Sequence, residues 1–198
     1  MAQVQVNPVL LILSRLYDAT QGEVLVDGVN VKDYDIEALR NKVGIVMQKA
    51  VLFKGTIREN MWMGKKGATD EQIDEALEIS QSKEFVDSKQ GRLDYVIEQG
   101  GKNLSGGQRQ RLTIARAIVR KPDVLILDDS ASALDFATDA ALRKAIRGMN
   151  NSPTVFIVSQ RAASLMYADL IIVLDDGQVA GMGTHDELLA NCEVYKEI

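Results

Sequence analysis

The stretch Val124-Leu125-Ile126-Leu127-Asp128-Asp129 sets the reading of the whole chain. Four consecutive apolar residues followed by two acids describe a buried strand with carboxylates at its C-terminal end. Ligands of open α/β sheets bind beyond that end of the strands. A hard cation such as Mg²⁺ takes one or two carboxylates together with phosphate oxygens. A plain buried strand ending in a polar turn accounts for the same six residues, so the stretch alone leaves both readings open. Its neighbours are helical on both sides. Ser105 to Arg120 is a helix closed by Arg120-Lys121-Pro122, and Asp135 to Arg147 is a second. Thr154 to Val158 then reads as another apolar strand. Strands alternating with helices of this length predict an α/β fold with a largely parallel sheet.

Further out the pattern continues. Val43 to Met47 reads as a buried strand preceded by a short helix over Asp35 to Asn41. Gly22 to Val31 reads as a hairpin about Asp27-Gly28, and Leu170 to Gly181 as a second about Asp175-Asp176-Gly177. Asn7-Pro8 can open a helix reaching about Tyr17. Capping boxes at Thr69/Gln72 and Thr184/Glu187 predict helices over Thr69 to Ser80 and Thr184 to Ala190. Between Thr56 and Pro122 no strong strand signal occurs. Residues 56–122 are therefore expected to form a helical subdomain, with 1–55 and 123–198 supplying the sheet of a single domain.

Composition narrows the function classes. The 198 residues carry 23 Lys and Arg against 28 Asp and Glu, a net charge of −5. That balance argues against a nucleic-acid binder, whose phosphate contacts need clustered cations. Cys192 is the one cysteine and His185 the one histidine, which excludes an intrachain disulfide and a His-rich metal site. The apolar run Val9 to Leu13 is too short to span a bilayer and lacks a basic lead-in, so a cytoplasmic location is expected. Lys65-Lys66 reads as a solvated loop. Arg109, Arg111, Arg116 and Arg120 read as a polar helix face, and Trp62 is undecided between the core and a partner-facing surface.

A second stretch is more specific. Asn103-Leu104-Ser105-Gly106-Gly107-Gln108 places a serine at a helix start, followed by two glycines that let backbone N–H groups approach a ligand. A helix N-terminus carries partial positive charge and suits a phosphate. An ordinary capping box of Ser105 with Gln108 explains two of the residues but not the glycines.

Together, Leu104-Ser105-Gly106-Gly107-Gln108 and the later strand ending in Asp128-Asp129 resemble the ATP-binding domain of ABC transporters. The resemblance runs from about Leu11 to the end of the chain. Gln48 resembles the family's Q-loop. Leu52-Phe53-Lys54-Gly55-Thr56-Ile57-Arg58-Glu59-Asn60 and Glu98-Gln99-Gly100-Gly101 look like exporter-type segments, the latter the X-loop. Ser132-Ala133-Leu134-Asp135 is similar to the D-loop, and Gly183-Thr184-His185 with Glu187-Leu188 to the C-terminal helix. The resemblance implies a P-loop NTPase core with a helical signature subdomain, and ATP and Mg²⁺ as cofactors. It implies two such domains packed head to tail, each ATP lying between the P-loop side of one and the signature of the other. Carried over, Ser105, Gly106, Gly107 and Gln108 face the γ-phosphate of an ATP bound on the partner. Asp128 and Gln48 hold Mg²⁺, partly through water. Gln48 also couples nucleotide to a transmembrane domain, and Asp135 belongs to the ATP-binding set.

The sequence departs from the family at three places. Asp129 stands where the family has the Glu that polarises water, and a carboxylate one methylene shorter sits back by about one bond length; a displacement near 1 Å can cost on the order of 10²-fold. Gln160 stands where the family has a His; it can hydrogen-bond a phosphate but cannot become a cation. The signature is intact. This asymmetry resembles the ATPase-degenerate subunit of heterodimeric multidrug or lipid exporters. The third departure is the phosphate cradle: G-x-x-x-x-G-K-[ST] does not occur in the sequence. An ungapped count puts Val6 where its Lys belongs and Asn7 and Pro8 at the hydroxyl positions. The core is thus expected without its N-terminal strands and P-loop. Back-translation of Met1 to Val9 in a shifted frame can spell Gly-Thr-Gly-Ala-Gly-Lys-Ser-Ser, as a frameshifted cradle would. Three functions follow as expectations: an ATP-binding exporter domain, coupling ATP binding and hydrolysis to transmembrane transport, whose own site hydrolyses poorly; a non-catalytic partner donating only its signature; or an inert fragment. Whether the chain itself is an enzyme stays open at this point.

Overall fold

In the computed structural model, residues 12–130 and 133–197 are described. The chain divides into two units, residues 1–156 and 157–198.

The first unit is organised by the strand read first. β6 (Val124–Asp128) is buried along its whole length, which is why its sequence shows no alternation. It pairs in parallel with β3 (Val43–Val46), Val43 opposite Val124 and Val46 opposite Leu127. β7 (Thr154–Val158), whose last two residues open the second unit, completes a sheet of order β3-β6-β7. β1 (Leu25–Val26) and β2 (Val29–Asn30) form the expected hairpin, shortened to two residues a side. Asp27 and Gly28 both hold positive φ, 50° and 77°, as a two-residue hairpin turn requires.

The helices start where their caps predict. α1 (Ile36–Lys42) is capped by Asp35, and α3 (Asp70–Ile79) by a complete Thr69/Gln72 box. α5 (Gly106–Ile118) precedes β6, and α6 (Phe136–Arg147) follows it. Two helices of this unit were not anticipated, α2 (Ile57–Trp62) with its own Thr56/Glu59 capping box and α4 (Lys83–Asp87). Within 56–122 there is also a strand pair: β4 (Gly55–Thr56) pairs antiparallel with β5 (Val96–Ile97). Two residues are too few to show a period. Ile73, Leu77, Leu112 and Ile118 are fully or nearly fully buried, so the amphipathic faces of α3 and α5 supply core. The helix expected from Asn7 falls mostly outside the described residues.

The second unit is a hairpin with helices. β8 (Ile171–Asp175) and β9 (Gln178–Gly183) pair antiparallel about the Asp176-Gly177 turn. α7 (His185–Asn191) starts from the predicted Thr184/Glu187 box and leads to α8 (Glu193–Lys196). Ile171, Val173, Leu188, Cys192 and Tyr195 form its core. Cys192 is thus a buried packing residue, and His185 Nδ1 lies 2.9 Å from the Tyr195 hydroxyl.

Candidate functional site

Parallel, in-register pairing of β3 and β6 carries the residues after both strands to one sheet edge. There the Gln48 side-chain N–H donates to Asp129 Oδ2 at 3.0 Å. Asp128, the last residue of β6, is 8% exposed. Burial pushes its carboxyl above the ordinary range, and the neighbouring Asp129 charge adds to the shift. Asp129 has φ 41°, a left-handed conformation that turns the chain sharply off the strand. With its Nε2 committed to Asp129, Gln48 keeps Oε1 as an acceptor for a cation. Among the described residues no group of three or more His, Cys, Asp and Glu could cage a metal. Two acids and one amide oxygen are hard oxygen donors of the kind Mg²⁺ takes when water and phosphate oxygens complete its shell.

The raised Asp128 pKa gives a pH prediction. A carboxyl raised in the folded state opposes folding once ionised; this penalty is absent below the unfolded value, near pH 4, and complete above the folded value. Asp128→Asn should therefore melt above the parent at pH 7, with the gap closing as pH falls towards about 4. Equal melting temperatures at pH 7, or a gap independent of pH, would refute this account of the buried carboxyl.

The second group lies at the start of α5. Ser105 Oγ accepts the Gln108 N–H at 3.2 Å, and Gln108 Oε1 accepts the Ser105 N–H at 3.0 Å. The capping box is thus real, and it leaves the N–H groups of Gly106 and Gly107 without intrahelical acceptors, as in any first turn. A Cβ on Gly106 would meet nothing closer than Arg109 Nη2 at 4.0 Å; on Gly107 it would meet the Ala133 carbonyl at 3.3 Å. The two glycines therefore keep the space before the helix clear, and Gly107 rests against the loop leading to Asp135.

That helix start is braced from behind. Arg109 Nη1 donates to the carbonyls of Leu104 at 2.6 Å and Gly101 at 3.3 Å. Gly101 has φ +70°, and a Cβ there would meet Arg109 Cδ at 2.7 Å. Asn103 Oδ1 accepts the Glu98 N–H at 3.0 Å, while its Nδ2 donates to the Val96 carbonyl at 2.9 Å. The loop 98–101 and the Ser105 turn are therefore tied together.

Asp135 caps α6: Oδ1 accepts the Thr138 N–H at 2.9 Å and Oδ2 the Thr138 hydroxyl at 2.7 Å. These bonds hold its carboxyl below the usual range. Gln160 is exposed and belongs to the second unit. Ser132, Val6, Asn7 and Pro8 lie outside the described residues.

Several side chains do more than the sequence suggested. Asn60, fully buried, accepts the Phe53 N–H and donates to the carbonyls of Phe53 and Thr56, each at 3.0 Å. Arg116 and Arg120 are not simply a solvated helix face. Arg116 Nη2 donates to the Val51 carbonyl at 2.8 Å, and Arg120 Nη1 to that of Arg40 at 2.7 Å. Trp62 spends its indole N–H on the Ala68 carbonyl at 3.0 Å. Asn60 lies in the quoted segment 52–60, but no sequence signal marked its backbone bonds, and the partners of the arginines had none either.

Residues 8–132 match the ABC transporter family. The chain belongs to that family. An ABC transporter ATP-binding protein of Mycobacterium tuberculosis strain H37Rv is 42% identical over 94% of this chain. A Staphylococcus aureus protein, strain NCTC 8325, whose name describes multidrug export by an ATP-binding/permease protein, is 37% identical over 94%. This chain spans 32% of the length of each. The solved structure of a bacterial Atm1-family ABC exporter with ATP bound superposes with a TM-score of 0.90 at 33% identity, covering 96% of this chain and 34% of that one. The fold is accordingly that of the ABC ATPases within the α/β P-loop NTPases. No helix among the described residues is long and apolar enough to cross a membrane.

Proposed function

We propose that this chain is an ATP-binding module of an ABC exporter that lends its signature turn to a nucleotide held mainly by a partner domain. The observation that carries the reading is the contrast between its two candidate groups. The Ser105–Gly107 turn is capped, braced and clear of side chains. The sheet edge instead has its Gln48 amide bonded to a shortened acid, Asp129, in a sequence without G-x-x-x-x-G-K-[ST].

Mg²⁺-ATP, when bound, supplies the phosphoanhydride whose cleavage drives transport. The chain's own residues then act as follows. Gly106 and Gly107 offer backbone N–H groups to the γ-phosphate of the partner's nucleotide, with Ser105 and Gln108 fixing the turn. Asp128 and Gln48 would hold Mg²⁺ at the chain's own edge. Asp129 is too short for efficient hydrolysis there. The partners are a second, P-loop-bearing ABC ATP-binding domain, forming a heterodimer, and the exporter's transmembrane domain. The module works at the cytoplasmic face of the membrane.

The test is steady-state ATP hydrolysis by a P-loop-bearing ABC ATP-binding domain with and without this chain. Stimulation that saturates as the chain is added is the expected result. A rate unaffected at all concentrations would rule out signature donation and leave the inert reading.

A further inference from the structure

Arg109 closes the signature turn twice. Its backbone N–H donates to the Ser105 carbonyl at 3.0 Å, and its guanidinium reaches past the cap to the carbonyls of Leu104 and Gly101. Gly101 makes the room: a Cβ there would stand 2.7 Å from Arg109 Cδ and 2.9 Å from its Cγ. Arg109 forms no ion pair among the described residues, and the first turn of α5 holds no acid. Its Nη2 lies 4.0 Å from where a Cβ on Gly106 would be. A cation beside a helix N-terminus opposes the macrodipole. Here such a cation is half-buried, held by carbonyls and left without an acid. A local rule broken in this way, with no gain in the helix itself, is expected where function requires it.

We infer that Arg109 is a positioning residue for the partner's nucleotide: it locks the Ser105–Gly107 turn to the 98–101 loop and adds its charge behind the turn, so that the Gly106 and Gly107 N–H groups are aimed before a γ-phosphate arrives. The inference deepens, and rests on, the proposed reading that this turn faces a partner's nucleotide. Donors fixed in advance act on the rate of the bound complex, because they need no reorganisation as charge develops. Loss of Arg109 therefore shows in the rate at saturation.

The test titrates a P-loop-bearing ABC ATP-binding domain with the full chain in Mg²⁺-ATP and reads the plateau of stimulated hydrolysis. Arg109→Ala should lower that plateau about tenfold to a hundredfold. Arg109→Lys keeps the charge without the planar fork and should recover part of it. A merely structural role would reduce the folded fraction, shifting the half-saturating concentration and leaving the plateau unchanged. Gly101→Ala, which pushes Arg109 off its seat, should lower the plateau too. Added to Arg109→Ala it should lower it no further, since both act through one contact. Should Arg109→Ala fail to fold, Arg109→Lys and Gly101→Ala decide by the same plateau. If the parent stimulates and these variants reach its plateau, or if the losses multiply in the double variant, the positioning role is overturned while signature donation stands. If the parent does not stimulate at all, both are overturned.

Discussion

Gly107→Val should reduce the chain's stimulation of a partner's ATP hydrolysis by about a hundredfold or more. The estimate follows from what removing a preorganised donor of this kind costs, on the order of 10²–10³. A Cβ at this position already comes to 3.3 Å from the Ala133 carbonyl, so valine's branches must either push that loop away or fill the space before the helix. Either outcome withdraws the Gly106 and Gly107 N–H groups from a phosphate. Folding should suffer much less, since valine is no worse than glycine in a helix. The signature of the effect is therefore lost stimulation with a nearly unchanged melting curve. Ser105→Ala offers a graded comparison: it removes a cap, costing about 1 kcal/mol of stability, while the glycines stay in place. Unchanged stimulation by Gly107→Val would remove the signature turn from the mechanism.

Asn60→Leu should destabilise the chain by about 3 kcal/mol or more. Asn60 is fully buried and makes three hydrogen bonds to the backbone of 53–56. Leucine has a similar volume, so the loss comes from leaving the Phe53 N–H and two carbonyls without a partner, at roughly 1–3 kcal/mol for each group that stays buried. For a chain of this size that is roughly a 6–12 °C drop in Tm. Asn60→Asp keeps the acceptor for the Phe53 N–H but loses both donated bonds, and should also destabilise. Thermal melts followed by circular dichroism provide the check; a shift under 2 °C for Asn60→Leu would mean that water satisfies these groups.

These two residues also mark the boundary of what the sequence disclosed. The all-apolar run of β6, the capping boxes of α3 and α7, and the glycine pair of the signature are local patterns, and each element lies within a few residues of its reading. The parallel sheet followed from strand–helix alternation, while the placing of Gln48 and Asp128 at one edge comes from the pairing of β3 with β6. The bond from Gln48 to Asp129 joins residues 81 apart, and no local pattern announces it. The bracing of Leu104 and Gly101 by Arg109, and the seat of Gly107 on Ala133, depend likewise on packing between segments. Asn60 was within a quoted motif, but its role is set by a loop that folds back over it. The strands β4 and β5 escaped because two residues carry no periodicity. In the second unit, the hairpin and α7 were readable from the Asp176-Gly177 turn and the Thr184 cap, while α8 and the His185–Tyr195 contact were not.

The central claim is that the nucleotide this chain serves is held by another domain. Isothermal titration of the purified full chain with Mg²⁺-ATP tests it most directly. The account predicts no binding in the micromolar range, because the phosphates find no glycine-rich cradle in this sequence. Saturable micromolar binding to the isolated chain would contradict it, and would make the sheet edge at Gln48, Asp128 and Asp129 a nucleotide site in its own right.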